Sequence, residues 1–330
     1  MNTTTEQQIS RRQLLSFAGT AGLGISIGAF SIVGADTVRA AEPGSNRKRA
    51  LRVAHLTDVH VKPELGAVDG LTAALRHVQA LDDSPQLLLT GGDAIMDALA
   101  VDAARTELQW DLWKRVLKNE CPMPVEHCIG NHDVWGWDKK TSQTTGREEQ
   151  WGKQSALDNF GLDRRYRSFD KAGWHFIVLD SIHPHDELTY IGKLDDEQFD
   201  WLAGDLKNVD ARTPIVVVSH IPILTVALVE FSDVFARQPE RRQGATHVDA
   251  KRIIDLFKPH PNVKLCLSGH LHLTERIDYS GVTYICGGAV SGNWWRGDHH
   301  HTDEGYTVID LYNDGTFDNQ YVAYGWTPRK

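Results

Sequence analysis

Short apolar runs recur along the chain beyond residue 50, and most give way to a stretch with helical spacing. The first run predicts a strand over 51–57, followed by a helix over 70–81. A strand over 86–90, a long helix over 100–118 and a strand over 125–129 come next. A polar stretch bearing tryptophans, 134–163, interrupts the pattern as an insertion. The alternation resumes with strands at 174–179, 214–219 and 263–268 and helices at 196–207 and 249–257. The tail then turns to short strands, around 271–278, 282–286, 305–311 and 318–324. Strands alternating with helices predict a sheet covered on both faces, and the β-rich tail predicts a second sheet packed on the first. Residues 41–50, rich in Pro, Gly, Ser and basic side chains, predict a linker.

The residues ahead of that linker have a different character. Ser10-Arg11-Arg12-Gln13-Leu14-Leu15 opens the longest uncharged stretch, which ends before Asp36 and carries Gly19, Gly22, Gly24 and Gly28. Val38-Arg39-Ala40, followed by Ala41, offers a small-residue cleavage site. A charged start, an apolar middle and a small-residue end are the anatomy of an export signal. The paired arginines resemble a twin-arginine signal, with Leu14 where that pattern usually has Phe. The expectation is export by the twin-arginine machinery, cleavage after residue 40, a periplasmic or secreted product, and no stable membrane association afterwards. The stretch is long enough to span a bilayer as an uncleaved anchor, but its glycines and alanine-rich end favour cleavage.

Composition removes several alternatives. The chain has 330 residues, with 35 Lys+Arg against 44 Asp+Glu and a net charge of −9. With 41% hydrophobic and 24% charged residues it is neither collagen-like nor disordered. The acidic balance argues against a nucleic-acid complex. Cys121, Cys128, Cys266 and Cys286 lack the spacing of a metal knuckle, and three of them fall in apolar runs where a free thiol is a small core residue. Free thiols are the expectation, with a Cys121–Cys128 bridge as the alternative in an oxidising compartment.

Five polar clusters sit where apolar runs stop. Asp58-Val59-His60 follows the first strand, Gly91-Gly92-Asp93 the second and Gly130-Asn131-His132-Asp133 the third. Ser219-His220 closes the run at 214–219, and Gly269-His270-Leu271-His272 follows 263–268. In α/β folds ligands bind at that edge of the sheet, where loops held by rigid strands converge. The donors are carboxylates, an amide and imidazoles with no thiolate, a set that suits Mn, Fe, Zn or Co. On extended backbone Asp58 and His60 would share a face, as would His270 and His272, because strand side chains repeat every two residues. Singly, each cluster reads as a turn, a cap or a hydrogen-bonded histidine. All five in order, each at a strand end, point to one site.

That order resembles the calcineurin-like metallophosphoesterase superfamily, whose pattern runs Asp-x-His, Gly-Asp, Gly-Asn-His-Asp/Glu, His, Gly-His-x-His; every position from Asp58 to His272 is filled. The resemblance implies a four-layer α/β/β/α sandwich of two mixed sheets flanked by helices, in a single domain over 51–330. It implies two divalent or mixed-valence metal ions. Asp58, His60, Asp93 and His272 would hold the first, and Asp93, Asn131, His220 and His270 the second, with Asp93 bridging. It casts His132 as catalytic and Asp133 as the residue that orients it. The implied reaction is in-line attack on a small phosphate ester by a hydroxide shared between the metals, with His132 as general acid or oxyanion stabiliser. Purple acid phosphatases supply a tyrosine ligand from Gly-Asp-x-x-Tyr; Met96 stands there here, so the chain resembles the phosphodiesterase-type branch. A phosphomonoesterase or pyrophosphatase would use the same metals. A metal-binding protein without catalysis would lack a ligand or His132, and all are present.

On the substrate side, the glycine-rich stretch from Gly287 ends in Trp294-Trp295-Arg296, residue types able to stack a ring and bind an anion. Trp135 offers a second candidate wall, with core packing as the alternative for each tryptophan. His299–His301 reads as a surface tract, with a third metal site as the alternative, His183 and His185 as part of a solvated loop, with a reach into the pocket as the alternative, and His55 as a buried or half-buried, hydrogen-bonded histidine. Asp97 and Asp102 read as the solvated start of the long helix.

Overall fold

The computed structural model describes residues 47–186 and 189–329. The expected export signal at 1–40 and most of the 41–50 linker lie outside the described residues. Leucines 87–89 show how the fold is built. They belong to β2 (Leu87–Thr90), which is buried on both faces and so reads as a continuous apolar run. Leu87 and Leu89 face Val216, Val218, Leu265 and Leu267 of a second sheet, while Leu88 faces the other way, onto Leu71, Leu75 and Trp110. The alternation of side chains along a strand thus produces two separate cores.

The first sheet is formed by β1 (Arg49–Leu56), β2 and β3 (Val125–His127) in parallel, with β12 (Gly305–Tyr312) antiparallel to β1 and β13 (Phe317–Ala323) antiparallel to β12. The second contains β5 (Trp174–Val178), β8 (Ile215–Val218), β9 (Val263–Ser268) and β11 (Val282–Gly287) in parallel, edged by antiparallel β4 (Arg167–Lys171) and β10 (Thr274–Tyr279). Helices α1 (Ala67–Gln79) and α2 (Ala103–Glu120) cover the first sheet. Helices α5 (Asp196–Asn208) and α9 (Ala250–Phe257) cover the second, through Leu202, Leu206, Ile253 and Phe257. Each such side chain contributes about 1.5–3 kcal/mol relative to exposure. The result is the expected α/β/β/α sandwich.

The insertion after β3 holds α3 (Lys139–Ser142) and α4 (Lys153–Phe160). A small hairpin, β6 (Ile182–His185) and β7 (Thr189–Gly192), takes the place of the solvated loop expected around His183 and His185. Three short helices, α6 (Ala227–Glu230), α7 (Ser232–Arg237) and α8 (Arg242–Ala245), follow β8.

Other expectations need correction. The tail does not form its own sheet: β10 and β11 join the second sheet, whereas β12 pairs with β1 and β13 with β12 to complete the first. The linker ends earlier than composition predicts, since Arg49 and Ala50 already belong to β1 and the Arg47 guanidinium lies 3.5 Å over the Tyr312 ring. Strand β4 carries no apolar run; its partner β5 places it, with Phe169 stacked on Phe176 at 4.9 Å. The long helix starts at Ala103 because the Asp102 carboxylate accepts the Arg105 N–H. All four cysteines are free, and Cys128 is buried with its thiol on the Leu179 carbonyl. No helix among the described residues is long and apolar enough to cross a membrane.

Candidate metal centre and active site

The carboxyl ends of β1, β2, β8 and β9 and the loop after β3 deliver the five sequence clusters to one point between the sheets. They do not arrive there on extended backbone. Asp58 (φ 55°), His60 (φ 50°), Asp93 (φ 54°), His270 (φ 71°) and His272 (φ 56°) all lie in the left-handed region, which costs non-glycine residues about 1–3 kcal/mol each. The loops lock one another in that state. Asp58 donates its N–H to Gly92 O and His60 to Asp93 O, at 3.1 and 3.0 Å. The His270 N–H donates to the Asp58 carboxylate, and the His132 N–H to Asp93 Oδ1, each at 2.8 Å. Glycine is needed where these loops touch: a Cβ on Gly130 would lie 2.1 Å from Asp93 Oδ1, and one on Gly269 1.9 Å from Thr57 Oγ1.

Three overlapping groups result: Asp58 with His60 and His272, His60 with Asp93 and His132, and Asp93 with His220 and His270, the ligand atoms of each group lying within 4.8 Å of one another. Asn131 Oδ1 lies 3.1 Å from His220 Nε2. All seven residues expected as ligands are therefore brought together, and Asp93 sits at the junction.

The donor set fits two cations. The His220 Nδ1–H donates to Gly91 O at 2.8 Å, which turns Nε2 toward Asp93 Oδ2 at 3.2 Å and the Asn131 oxygen, both acceptors. His272 Nδ1 donates to Gly292 O, which turns its Nε2 toward His60 Nε2 at 3.1 Å and Asp58 Oδ1 at 3.3 Å. Asp58 and Asp93 are buried, and their ion pairs among the described residues are with histidines alone. Buried carboxylates need countercharge, and here imidazoles, two backbone N–H groups and the Thr57 hydroxyl face them, with no Lys or Arg among the described residues. Burial holds His60 well below the ordinary imidazole range and His270 at about 3, so both rings are neutral donors. Burial opposes ionisation of Asp58, but the charges of His272 and His220 keep it below the usual carboxylate range. Burial would lower His220 as well, yet the charge and hydrogen bond of Asp93 lift it to about 9.

His132 lies on the open side of the cluster, edge-on to His60 with ring centroids 4.8 Å apart and its side chain 26% exposed. Asp133 does not orient that ring. Its two oxygens accept the backbone N–H groups of Gly130, Asp93 and Ala94, so it braces the Asp93 turn from beneath. Burial and then the Asp93 charge push Asp133 up to about 7. The carboxylate facing the ring is Asp97, with Oδ1 3.9 Å from His132 Nδ1, an ion-pair distance rather than a hydrogen bond. Sequence reasoning assigned Asp97 to the helix start; it lies on the approach to α2, where it also accepts the Ala100 N–H.

The tryptophans divide. Trp294 stands against His272, ring centroids 4.4 Å apart, and borders the cluster as expected. Trp295 is 1% exposed and packs in the core, its Nε1–H donating to the His60 carbonyl. Trp135 is also a core residue, donating to Val101 O. Neither is a substrate wall. Arg296 is exposed beside Trp295. The loop's tie to the site is instead Ser291, whose hydroxyl donates to the Asp58 carbonyl at 2.7 Å. His299 is half-buried, its ring 5.6 Å from that of His272, while His300 and His301 are exposed. His55 is fully buried, as expected, but both ring nitrogens are without hydrogen-bond partners, and burial lowers it to about 4.

Ser219, His247 and Asp249 form a hydrogen-bonded chain, with Oγ to Nε2 at 3.0 Å and Nδ1 to Oδ1 at 3.1 Å. The order of groups matches a nucleophilic triad, yet Ser219 is 2% exposed and donates to Ile221 O. The chain is a strut beneath the turn that carries His220.

Known proteins place this site in context. The chain is 24% identical over 275 residues to a probable cyclic nucleotide phosphodiesterase of a Synechococcus strain, covering 82% of this chain and 91% of that protein. It is 23% identical over 289 residues to a 3',5'-cyclic-nucleotide phosphodiesterase of a Nostoc strain, covering 82% and 92%. Purple acid phosphatase 22 of Arabidopsis thaliana is 25% identical over 231 residues, covering 68% of this chain and 46% of that protein. A solved dimetal phosphatase from Danio rerio shares the fold, with a TM-score of 0.59 at 16% identity over 84% of this chain and 100% of that one. The calcineurin-like phosphoesterase family model matches residues 51–273, a span that holds all seven gathered ligands and His132, and the chain belongs to that family.

Proposed function

We propose that this metal-dependent phosphoester hydrolase acts on phosphodiesters. The observation that carries the reading is the buried two-lobed cluster sharing Asp93, with His132 on its open side. Met96 at the position where purple acid phosphatases have a tyrosine ligand, and the two relatives named as cyclic-nucleotide phosphodiesterases, favour the diester over the monoester. Asp58, His60, Asp93 and His272 would hold one ion, and Asp93, Asn131, His220 and His270 the other. When bound, two such ions supply an activated water and positive charge for the phosphoryl oxygens.

The chain's own residues do the rest. The interlocked left-handed loops keep the ligand lone pairs converged, so little reorganisation accompanies the reaction. His132, within reach of solvent and substrate, gives a proton to the departing alkoxide, a poor leaving group without one. Asp97 steadies the charged ring. The Asp133 brace keeps His132 and Asp93 in register.

The test is to load the purified protein with Mn, Zn or Fe and compare methyl p-nitrophenyl phosphate with p-nitrophenyl phosphate. The expected result is metal-dependent turnover with the higher kcat/KM on the diester. A monoester preference would replace this reading with a phosphatase. We also infer that Ser10-Arg11-Arg12 directs the folded protein through twin-arginine export. Replacing both arginines by lysine should confine activity to the cytoplasm; unchanged export would refute that part.

A further inference from the structure

The two flanks of the metal cluster are built differently. Beside His272 stands the Trp294 indole, with His299 behind it. Beside His270 there is a cleft of about 320 Å³, walled by Tyr190 on β7, Phe235 on α7, and Gly244 and Ala245 on α8, with Glu240 and Arg241 alongside. His270 is itself one of the walls, so the cleft and the cluster are contiguous. Tyr190 meets the His270 ring edge-on at 6.1 Å. One aromatic side chain thus borders both the cleft and a ligand imidazole.

The shape and chemistry of the cleft restrict its occupant. The volume lies at the lower end of pockets that accept small organic ligands, about 300–1,000 Å³, which is room for a ring and its immediate substituents. Two aromatic side chains and an alanine suit a flat apolar body, while Glu240 and Arg241 offer an acceptor and donors to a polar edge. Gly244 keeps the space open. A Cβ there would lie 3.6 Å from the Tyr190 ring, already in contact, so any longer side chain would fill the volume in front of it. The segment that carries these walls also reaches the other flank, where Phe231 packs against His300 at 4.9 Å.

We propose that this cleft is the subsite for the organic group of the substrate, and that it takes a flat aromatic ring, the base of a nucleoside or an aryl ester, against Tyr190 and Phe235 while the phosphate sits at the metal cluster. The proposal rests on the phosphoester reading of the site above, and it names the substituent that the metals and His132 do not select.

Phosphonates separate ring recognition from chemistry, because their carbon–phosphorus bond is not hydrolysed. Methylphosphonate, benzylphosphonate and a nucleoside 5'-methylenephosphonate would each be titrated calorimetrically into the metal-loaded, full-length protein. A ring-bearing phosphonate should bind about tenfold or more tightly than methylphosphonate. Gly244→Leu should remove most of that advantage by filling the cleft, and Phe235→Ala should remove part of it by taking away one wall. Comparison of the benzyl and nucleoside compounds distinguishes an aryl group from a base. Equal affinities for the methyl and ring compounds would overturn the proposal, as would a ring advantage that survives in both variants. Should Gly244→Leu not fold, Phe235→Ala decides alone. A failed diester assay with the ring advantage intact would instead remove the phosphodiester reading and leave the subsite standing.

Discussion

Two places in this protein set histidines among carboxylates, with opposite outcomes. On β5, His175 has Nδ1 2.6 Å from Asp170 and Nε2 2.9 Å from Asp205. Both ring nitrogens meet carboxylates, and the Asp170 side chain is 79% exposed. Burial lowers this ring, but the hydrogen bonds to Asp205 and Asp170 more than offset that, so it keeps its proton to higher pH than an ordinary imidazole. In the metal cluster, His220 and His272 each spend Nδ1 on a backbone carbonyl and turn Nε2 inward. There burial keeps His60 and His270 neutral. A histidine becomes a ligand when its outer nitrogen is satisfied by a neutral acceptor and its inner lone pair is sealed from water. It becomes an ion-pair partner when both nitrogens reach carboxylates at the surface.

The contrast predicts large effects at the cluster and a small one at β5. Asp93→Ala should have the largest, since both lobes lose a shared ligand. Metal content by elemental analysis should fall from about two per chain, and turnover by about 1,000-fold or more. Chelation should then lower the melting temperature of the wild type but not of the variant. Full metal retention would dissolve the proposed bridge.

His132→Ala comes next. Turnover should drop about 100- to 10,000-fold with the metal content of the wild type, because the ring works on the substrate rather than on the ions. Lost metal would move His132 to the ligand side of the comparison. Asp97→Asn should lower kcat about tenfold at constant metal content, by removing the charge that faces His132. An unaltered kcat would return Asp97 to the helix start.

The smallest effect belongs to His175. Its folded-state pKa is raised, so the ion pair's contribution is fully present below the unfolded imidazole value of about 6.5 and is lost as pH rises through the folded value. The melting-temperature gap between wild type and His175→Gln should therefore be widest near pH 5–6 and shrink toward pH 9, a difference of about 1 kcal/mol or less. A gap that widens with pH, or a change in metal content, would erase the distinction between the two regions.

The ligands were readable because their chemistry is local. Asp58, Asp93 and His220 are recognisable as polar residues that interrupt apolar runs, and runs that stop at one sheet edge bring their ends together. The neighbours of His132 were not readable in that way. Asp133 and Asp97 are both carboxylates near it in the chain, and the tight turn at 131–133 aims Asp133 at the Asp93 backbone, leaving Asp97 to face the ring. Trp294 and Trp295 are adjacent in sequence, yet left-handed backbone at both (φ 50° and 73°) sends one to His272 and the other into the core.

Apolar periodicity and donor chemistry are properties of a few neighbouring residues, and these were enough to specify the central strands and longer helices, their order, and the five polar clusters from which the family resemblance drew seven metal ligands. The partition of the tail strands between two sheets was not encoded locally. It depends on pairings such as β1 with β12, sealed by the Arg52–Asp310 ion pair across 258 residues of chain. The aromatic cleft likewise needs β7, α7, α8 and the loop after β9 to meet. Burial energy rewards such meetings only once the whole sandwich closes, so folding assigns their partners and the local pattern does not.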